Sequence, residues 1–128
     1  MIGYTMVGTN NLTDAVRFYD AVLAPLGLTP VEVTDDYVGY APESAPKEIE
    51  FYVTKPFNGE VATFGNGTMI ALQAGTKLTL DLFHKLAVAN GGTDEGAPGP
   101  RLEDSTIQYA YARDLDGNKI CAFYEPVA

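Results

Sequence analysis

The sequence predicts one α+β protein made of two copies of a strand–helix–strand–strand–strand module, and three observations support this prediction. Apolar residues recur at helical spacing once in each half of the 128-residue chain. Glycine follows each of these stretches, where helices commonly end. Similar residues are also repeated 65 positions apart: Val7 and Leu72, Phe18 and Phe83, and Gly27 and Gly92. A long period that occurs twice indicates paired modules rather than a solenoid.

The first module is predicted to span residues 1–56 and to begin with an apolar strand over residues 2–7. Asn11 is a good N-cap for the helix that follows, and Asp14 lies in its first turn. The apolar stripe of this helix comprises Leu12, Ala15, Val16, Tyr19, Val22, Leu23 and Leu26. Gly27 ends the helix, and further strands are predicted over residues 28–33, 37–41 and 48–54.

Residues 57–66 are predicted to be a linker, because they show no periodicity and contain Gly59 and Gly65. The segments 55–59 and 64–67 could also fold over a neighbouring cleft as a lid. The plain alternative is a connection between modules with no contact to a ligand.

The second module is predicted to span residues 67–128, with a strand over residues 68–73 and a helix capped by Thr76 or Thr79. Its apolar stripe comprises Leu82, Phe83, Leu86 and Ala87, and Gly91–Gly92 ends the helix. Residues 93–100 are predicted to form a Gly/Pro-rich connection, followed by a strand over residues 106–113.

The stretch 114–123 is predicted to be a turn followed by the last strand. Asp116–Gly117–Asn118 has the composition of a tight turn, and the residues from Lys119 onward are largely apolar on both faces. Such a strand belongs inside a sheet. Each module should therefore be a curved mixed sheet with a helix on its outer face, and two such sheets side by side would form a cleft.

Composition excludes several kinds of function. The net charge is −9 and there are only eight Lys and Arg residues, so nucleic acid is not an expected partner. The acidity would attract a cationic ligand, although it mostly serves solubility. No apolar run is long enough to span a bilayer, no basic signal-like start is present, and the single cysteine suits a reducing compartment. We therefore expect a soluble cytoplasmic protein with no membrane partner.

With Phe18–Tyr19 on its first helix and an Asp114-x-Asp116-Gly117 turn before its last strand, the chain resembles the vicinal-oxygen-chelate superfamily of glyoxalases, bleomycin-resistance proteins and extradiol dioxygenases. The combination of Phe18–Tyr19 on the helix with the Asp114-x-Asp116-Gly117 turn is fairly specific. The resemblance covers essentially the whole chain and is carried by residues 6–8, 12–19, 23–27, 67–72, 91–92 and 113–120. It implies two βαβββ modules forming a glyoxalase-like curved mixed sheet around a cleft, and a homodimer.

The resemblance also implies four metal-ligand positions, one on each of four strands, where metal-dependent members carry His or Glu. They fall at Tyr4, Glu50, Met69 and Cys121 here, with Phe51 as the competing register for Glu50. This set offers at most one carboxylate, and a thioether is a poor ligand for the divalent ions concerned. We therefore predict that the protein uses no metal and no other cofactor.

Candidate catalytic residues are few. Glu50, Tyr4 and Cys121 are the candidates at the cleft positions, and Glu50 could act as an acid/base or as an anchor for a cationic ligand. The default interpretation places Glu50 on a solvated face and Cys121 in the core, because the sequence shows no cationic neighbour to activate the thiol. His84, the single histidine, is interpreted as a residue at the edge of the helical stripe.

Aromatic and soft side chains dominate the strands that line the family's cleft. They suit either core or an apolar pocket for a flat or amphipathic organic ligand. The predicted ligand-binding residues are Tyr4, Glu50, Met69, Tyr109, Tyr111, Cys121 and Phe123. Three hypotheses follow: a small-molecule-binding protein resembling bleomycin-resistance proteins; a lyase, isomerase or dioxygenase-like enzyme resembling lactoylglutathione lyase, with a rewired site; and a structural subunit whose cleft is filled by side chains.

Overall fold

The computed structural model describes residues 1–126, which form two four-stranded sheets and two α-helices. In chain order the elements are β1 (Thr5–Gly8), α1 (Leu12–Leu23), a 3-10 turn (Ala24–Leu26), β2 (Leu28–Val33), β3 (Tyr37–Pro42), β4 (Phe51–Thr54), β5 (Met69–Gln73), α2 (Lys77–Ala89), β6 (Thr93–Pro100), β7 (Gln108–Arg113) and β8 (Lys119–Tyr124). The predicted α+β class with two similar modules is confirmed. None of the helices described is long and apolar enough to cross a membrane.

The two sheets have the same topology. The strand order is β1-β4-β3-β2 in the first sheet and β5-β8-β7-β6 in the second. In each sheet the first and last strands of the module pair in parallel, and the other neighbours pair antiparallel. The internal repeat therefore holds at the level of strand pairing.

Residues 93–100 form strand β6, so the prediction of an irregular connection was wrong. This strand lies at the outer edge of the second sheet, and its register with β7 shifts around Gly96 and Gly99. An edge position tolerates proline, and a bulge accommodates glycine. The outer strand of the first sheet, β2, shows a similar register shift after Pro30. The glycine and proline residues of this segment therefore made it resemble a loop in the sequence, although the module repeat requires a strand there.

Both helices begin at predicted caps, but α1 ends at Leu23, before the 3-10 turn that Gly27 terminates. The Asn11 side chain accepts a hydrogen bond from the Asp14 amide, and Thr76 rather than Thr79 caps α2. Gly27 and Gly91 take the left-handed conformation at the two ends, with φ of 83° and 96°. Gly92, which the sequence pairs with Gly27, instead lies in close contact with neighbouring backbone, where a Cβ would be 2.7 Å from the Arg113 carbonyl oxygen.

One hydrophobic core joins the two modules. Helices α1 and α2 contact each other, and each packs against its own sheet. The core includes fully buried residues of both halves, among them Tyr19, Val22, Phe51, Val53, Leu80, Phe83 and Ile120. The predicted pair Phe18 and Phe83 belongs to this core.

The Asp114 turn fastens the second module to the first. Tyr19 on α1 donates a hydrogen bond from its hydroxyl to Asp114 Oδ2 at 2.5 Å, and the Asn118 side chain donates to the Gly8 carbonyl at 2.9 Å. The amides of Asp116 and Asn118 donate to Asp114 Oδ1 at 2.9 Å. Burial raises the pKa of Asp114, because a carboxylate there has left water. The turn that the sequence marks is therefore a buried polar joint.

Candidate functional site

The first sheet presents a row of tyrosines on the face opposite its helix. Strand alternation buries Phe51 and Val53 and leaves Tyr52 on the other face. The Tyr52 ring meets Tyr4 edge-on at 5.0 Å between centroids and Tyr37 at 5.8 Å. The Tyr37 hydroxyl donates to Glu32 at 2.8 Å, and this bond raises the pKa of Tyr37.

The second sheet carries most of the predicted ligand-binding residues on its corresponding face. Tyr109 and Tyr111 stack almost parallel, with centroids 6.1 Å apart, and Phe123 lies 6.2 Å from Tyr109. Cys121 is directly opposite Tyr111 across the strand pair, and Phe123 is opposite Tyr109. Met69 stands at the start of β5, where 42% of its surface is exposed. These residues thus share one face of the second sheet.

Tyr4 and Glu50 lie with the first sheet, so the predicted set forms two groups. The Thr5 amide donates to the Glu50 carbonyl at 3.0 Å, and the Glu50 side chain is exposed. Phe51, the competing register, is fully buried and packs on Tyr19 with centroids 5.0 Å apart. Glu50 lines a groove of about 410 Å³ with residues of β5, whereas Met69 and Tyr111 line a different one.

A larger hollow, of about 920 Å³, lies beside the first sheet under the chain that follows β4. Its lining is mostly apolar and includes Met6, Tyr37, Pro56, Phe57 and Val61. Sequence reasoning suggested that residues 55–59 could cover a cleft, but it did not select Met6 or Tyr37. The alternation of Met6 with buried Val7 was the available signal for the first of these.

Cys121 and His84 have environments typical of structural rather than catalytic residues. Cys121 is fully buried, and burial raises the pKa of its thiol to about 11, which leaves almost no thiolate at neutral pH. His84 Nε2 lies 2.8 Å from Asp94 Oδ1 and so links α2 to β6. The hydrogen bond with His84 lowers the pKa of Asp94, and the Gly96 amide adds to this effect.

The four family ligand positions do not fit a divalent metal. Tyr4 and Glu50 directly precede β1 and β4 of the first sheet, and Met69 and Cys121 lie on β5 and β8 of the second. A thioether and a thiol with a raised pKa are poor partners for a hard ion. Over residues 1–126, no three His, Cys, Asp or Glu side chains cluster as metal ligands would.

Comparison with known proteins agrees with this fold. A glyoxalase/bleomycin resistance protein from Albidiferax ferrireducens T118 is 39% identical, with a TM-score of 0.86 and coverage of 98% of this chain and 99% of that one. A glyoxalase-related enzyme from Fulvimarina pelagi is 18% identical, with a TM-score of 0.75 and coverage of 99% and 89%. A lactoylglutathione lyase from Agrobacterium tumefaciens is also 18% identical, with a TM-score of 0.67 and coverage of 97% and 92%. The last two similarities show the fold alone.

No functionally curated protein matches the sequence significantly. The sequence model of the Glyoxalase/Bleomycin resistance protein/Dioxygenase superfamily matches residues 1–122, nearly the whole chain. The match agrees with the repeated sheet topology and with the 39% identical structure. The chain therefore belongs to the glyoxalase/bleomycin resistance protein/dioxygenase superfamily.

Proposed function

We propose that this protein binds a small aromatic or amphipathic organic molecule without the family metal, as a cytoplasmic homodimer. The observation that supports the proposal is the aromatic surface on the strands that line the cleft in this family. On one sheet face the Tyr109 ring lies 6.1 Å from Tyr111 and 6.2 Å from Phe123 between centroids, and Tyr4 belongs to a tyrosine row on the other sheet. Aromatic rings offer a large contact area with a hydroxyl for orientation.

The proposed ligand-binding residues are the seven predicted from the sequence, and we assign them different roles. The rings and Met69 would contact the ligand, Glu50 would attract a positive group at the groove that it lines, and buried Cys121 would lie beside Tyr111 on the neighbouring strand. Met69 and Tyr111 line a groove of about 410 Å³, which has room for a small organic ligand. Open space of this kind argues against the third hypothesis, a cleft filled with side chains.

The homodimer is proposed because both sheet faces leave apolar side chains in water. Tyr4 is 58% exposed at the first sheet, and Met69 is 42% exposed on the second. Apolar surface of this kind often marks an interface or a ligand groove. Sedimentation velocity should give a particle of twice the 13.7 kDa chain mass.

The enzyme alternative has weaker support. It requires Glu50 to work with Tyr4 or Cys121, but Cys121 is on the other sheet and its thiol pKa is raised to about 11. Such a thiol is a poor nucleophile near neutral pH. The likeness to a lactoylglutathione lyase is at 18% identity and adds no site residue.

A neutral fluorescent probe tests the binding proposal. Titration of the protein with N-phenylnaphthylamine should give saturable enhancement of emission. Tyr109→Ala and Tyr111→Ala should each weaken this binding about threefold or more, since each removes an aromatic contact from the same face of the second sheet. Leu78→Ala is the matched control, because Leu78 is 68% exposed on α2 and lines none of these grooves. Non-saturable emission, or equal weakening by all three variants, would refute the proposed site.

A further inference from the structure

Positive charge is concentrated in one groove of this acidic chain. The protein has only eight Lys and Arg residues against seventeen Asp and Glu. Arg101, Arg113 and Lys119 all line the same groove of about 410 Å³ on the second sheet. Tyr111 and Met69, both in the proposed ligand-binding set, line it with them.

Two of these cations are arranged around one aromatic ring. The Lys119 ammonium lies 5.3 Å from the Tyr111 centroid, and the Arg101 guanidinium lies 5.8 Å from it. Among residues 1–126, neither Arg101 nor Lys119 forms an ion pair with a carboxylate. Their positive charge is therefore not neutralised by the chain at this place. A ring contact orients a cation but leaves its N–H groups able to donate.

The third cation is fixed in place. The Arg113 side chain pairs with Glu95 and donates to the Gly117 carbonyl at 2.8 Å, with its guanidinium 5.3 Å from the Phe64 ring. Glu95 neutralises part of the Arg113 charge. Arg113 therefore lines the groove but contributes less to its positive potential than Arg101 and Lys119 do. Polar groups of residues 66–68, including the Thr68 hydroxyl, complete the lining.

We propose that this groove is a binding site for the oxyanion group of a small organic ligand, a carboxylate or a phosphate. Arg101 and Lys119 would supply charge-assisted hydrogen bonds, which are the strong kind, and Tyr111 would lie against the attached organic part. The inference deepens the proposed function, and it rests on that function only in treating this face as a ligand surface. It adds a negative group to the ligand, which the overall acidity of the chain does not suggest.

Nuclear magnetic resonance titration tests the site directly. Inorganic phosphate and benzoate are added separately to the full chain at constant ionic strength, and backbone amide shifts are followed. Saturable shifts are expected at residues 66–69, 111–113 and 119. The double variant Arg101→Gln/Lys119→Gln should weaken binding tenfold or more. The control Lys85→Gln removes a charge from the exposed face of α2 and should change binding less than twofold.

The outcomes separate the possible sources of the anion. Tighter binding of phosphate points to a phosphate ester, and tighter binding of benzoate points to an aromatic acid. The inference is overturned if neither anion shifts these amides, or if Lys85→Gln weakens binding as much per charge as the double variant. Binding of phosphate without binding of the dye would refute the proposed function but support the anion site. Binding of the dye without binding of either anion would refute the anion site and leave the proposed function supported.

Discussion

Removing the Tyr19 hydroxyl should destabilise the protein, because the group it bonds is buried. Tyr19 is fully buried and Asp114 is 5% exposed. In Tyr19→Phe the Asp114 carboxylate loses one charge-assisted donor and water cannot replace it. A hydrogen bond to a charged group contributes about 1.5–3 kcal/mol. For a chain of this length, such a loss lowers Tm by about 5–10 °C.

Tyr40→Phe is the matched control. The Tyr40 ring is also fully buried and its hydroxyl donates to Asp20 at 2.9 Å, but Asp20 is exposed. Water replaces the lost donor there, so the cost should stay under about 1 kcal/mol. Urea unfolding at pH 7 measures both variants. An equal or smaller loss for Tyr19→Phe would contradict the role assigned to the buried joint.

The same variant has a predicted pH dependence. Burial raises the pKa of Asp114, and the Tyr19 bond opposes that rise, so Tyr19→Phe should raise it further. A raised folded pKa gives stability that is present at low pH and lost as the pH rises through that value. The deficit of Tyr19→Phe should therefore be smaller at pH 4 than at pH 7. A deficit that grows on acidification would show that the sign is wrong.

Three further perturbations test other parts of the molecule. Cys121 in the folded chain should react with iodoacetamide at pH 8 at least a hundredfold more slowly than in urea, because burial raises its pKa to about 11; equal rates by mass spectrometry would contradict its buried setting. The pKa of Asp94 is lowered in the folded chain, so its ionisation adds stability above the ordinary pKa of 3.8, and this stability is lost as the pH falls through the lower folded value. Thermal melts between pH 2 and pH 6 should therefore show a smaller decrease of Tm on acidification for Asp94→Asn than for the unmodified chain. Glu50→Gln should weaken calorimetric binding of the cation N-methylquinolinium severalfold relative to Glu43→Gln, and unchanged affinity would count against a ligand-facing Glu50.

The sequence was sufficient for the module repeat because that repeat depends on local patterns. Cap residues and apolar periodicity located both helices, and the Asn11 cap formed as expected. Strand β6 was not predicted because its Gly and Pro residues weaken the sequence pattern of a strand. Only its pairing with β7 shows that it is an edge strand. Local patterns report backbone preference, whereas an edge strand is defined by a partner distant in sequence.

The candidate site was predictable only in part, for a similar reason. The resemblance selected Tyr109, Tyr111 and Phe123 for the cleft, and the register of β7 and β8 puts these three on one face of the sheet. The separation of Tyr4 from this group depends on how the two sheets are arranged, which no local pattern contains. The role of Arg101 was also hidden, because it lies in an irregular segment, and its approach to Tyr111 is a tertiary contact.

The bulged outer strands restrict how copies of this chain can meet. A straight exposed edge invites a neighbour to add a strand, and such growth has no natural end. Pro30 on β2 and Pro98 on β6 lack the amide hydrogen that this addition would use, and both strands change register along their length. The outer margins of the two sheets, β2 and β6, therefore resist open-ended growth by strand addition between copies of the chain.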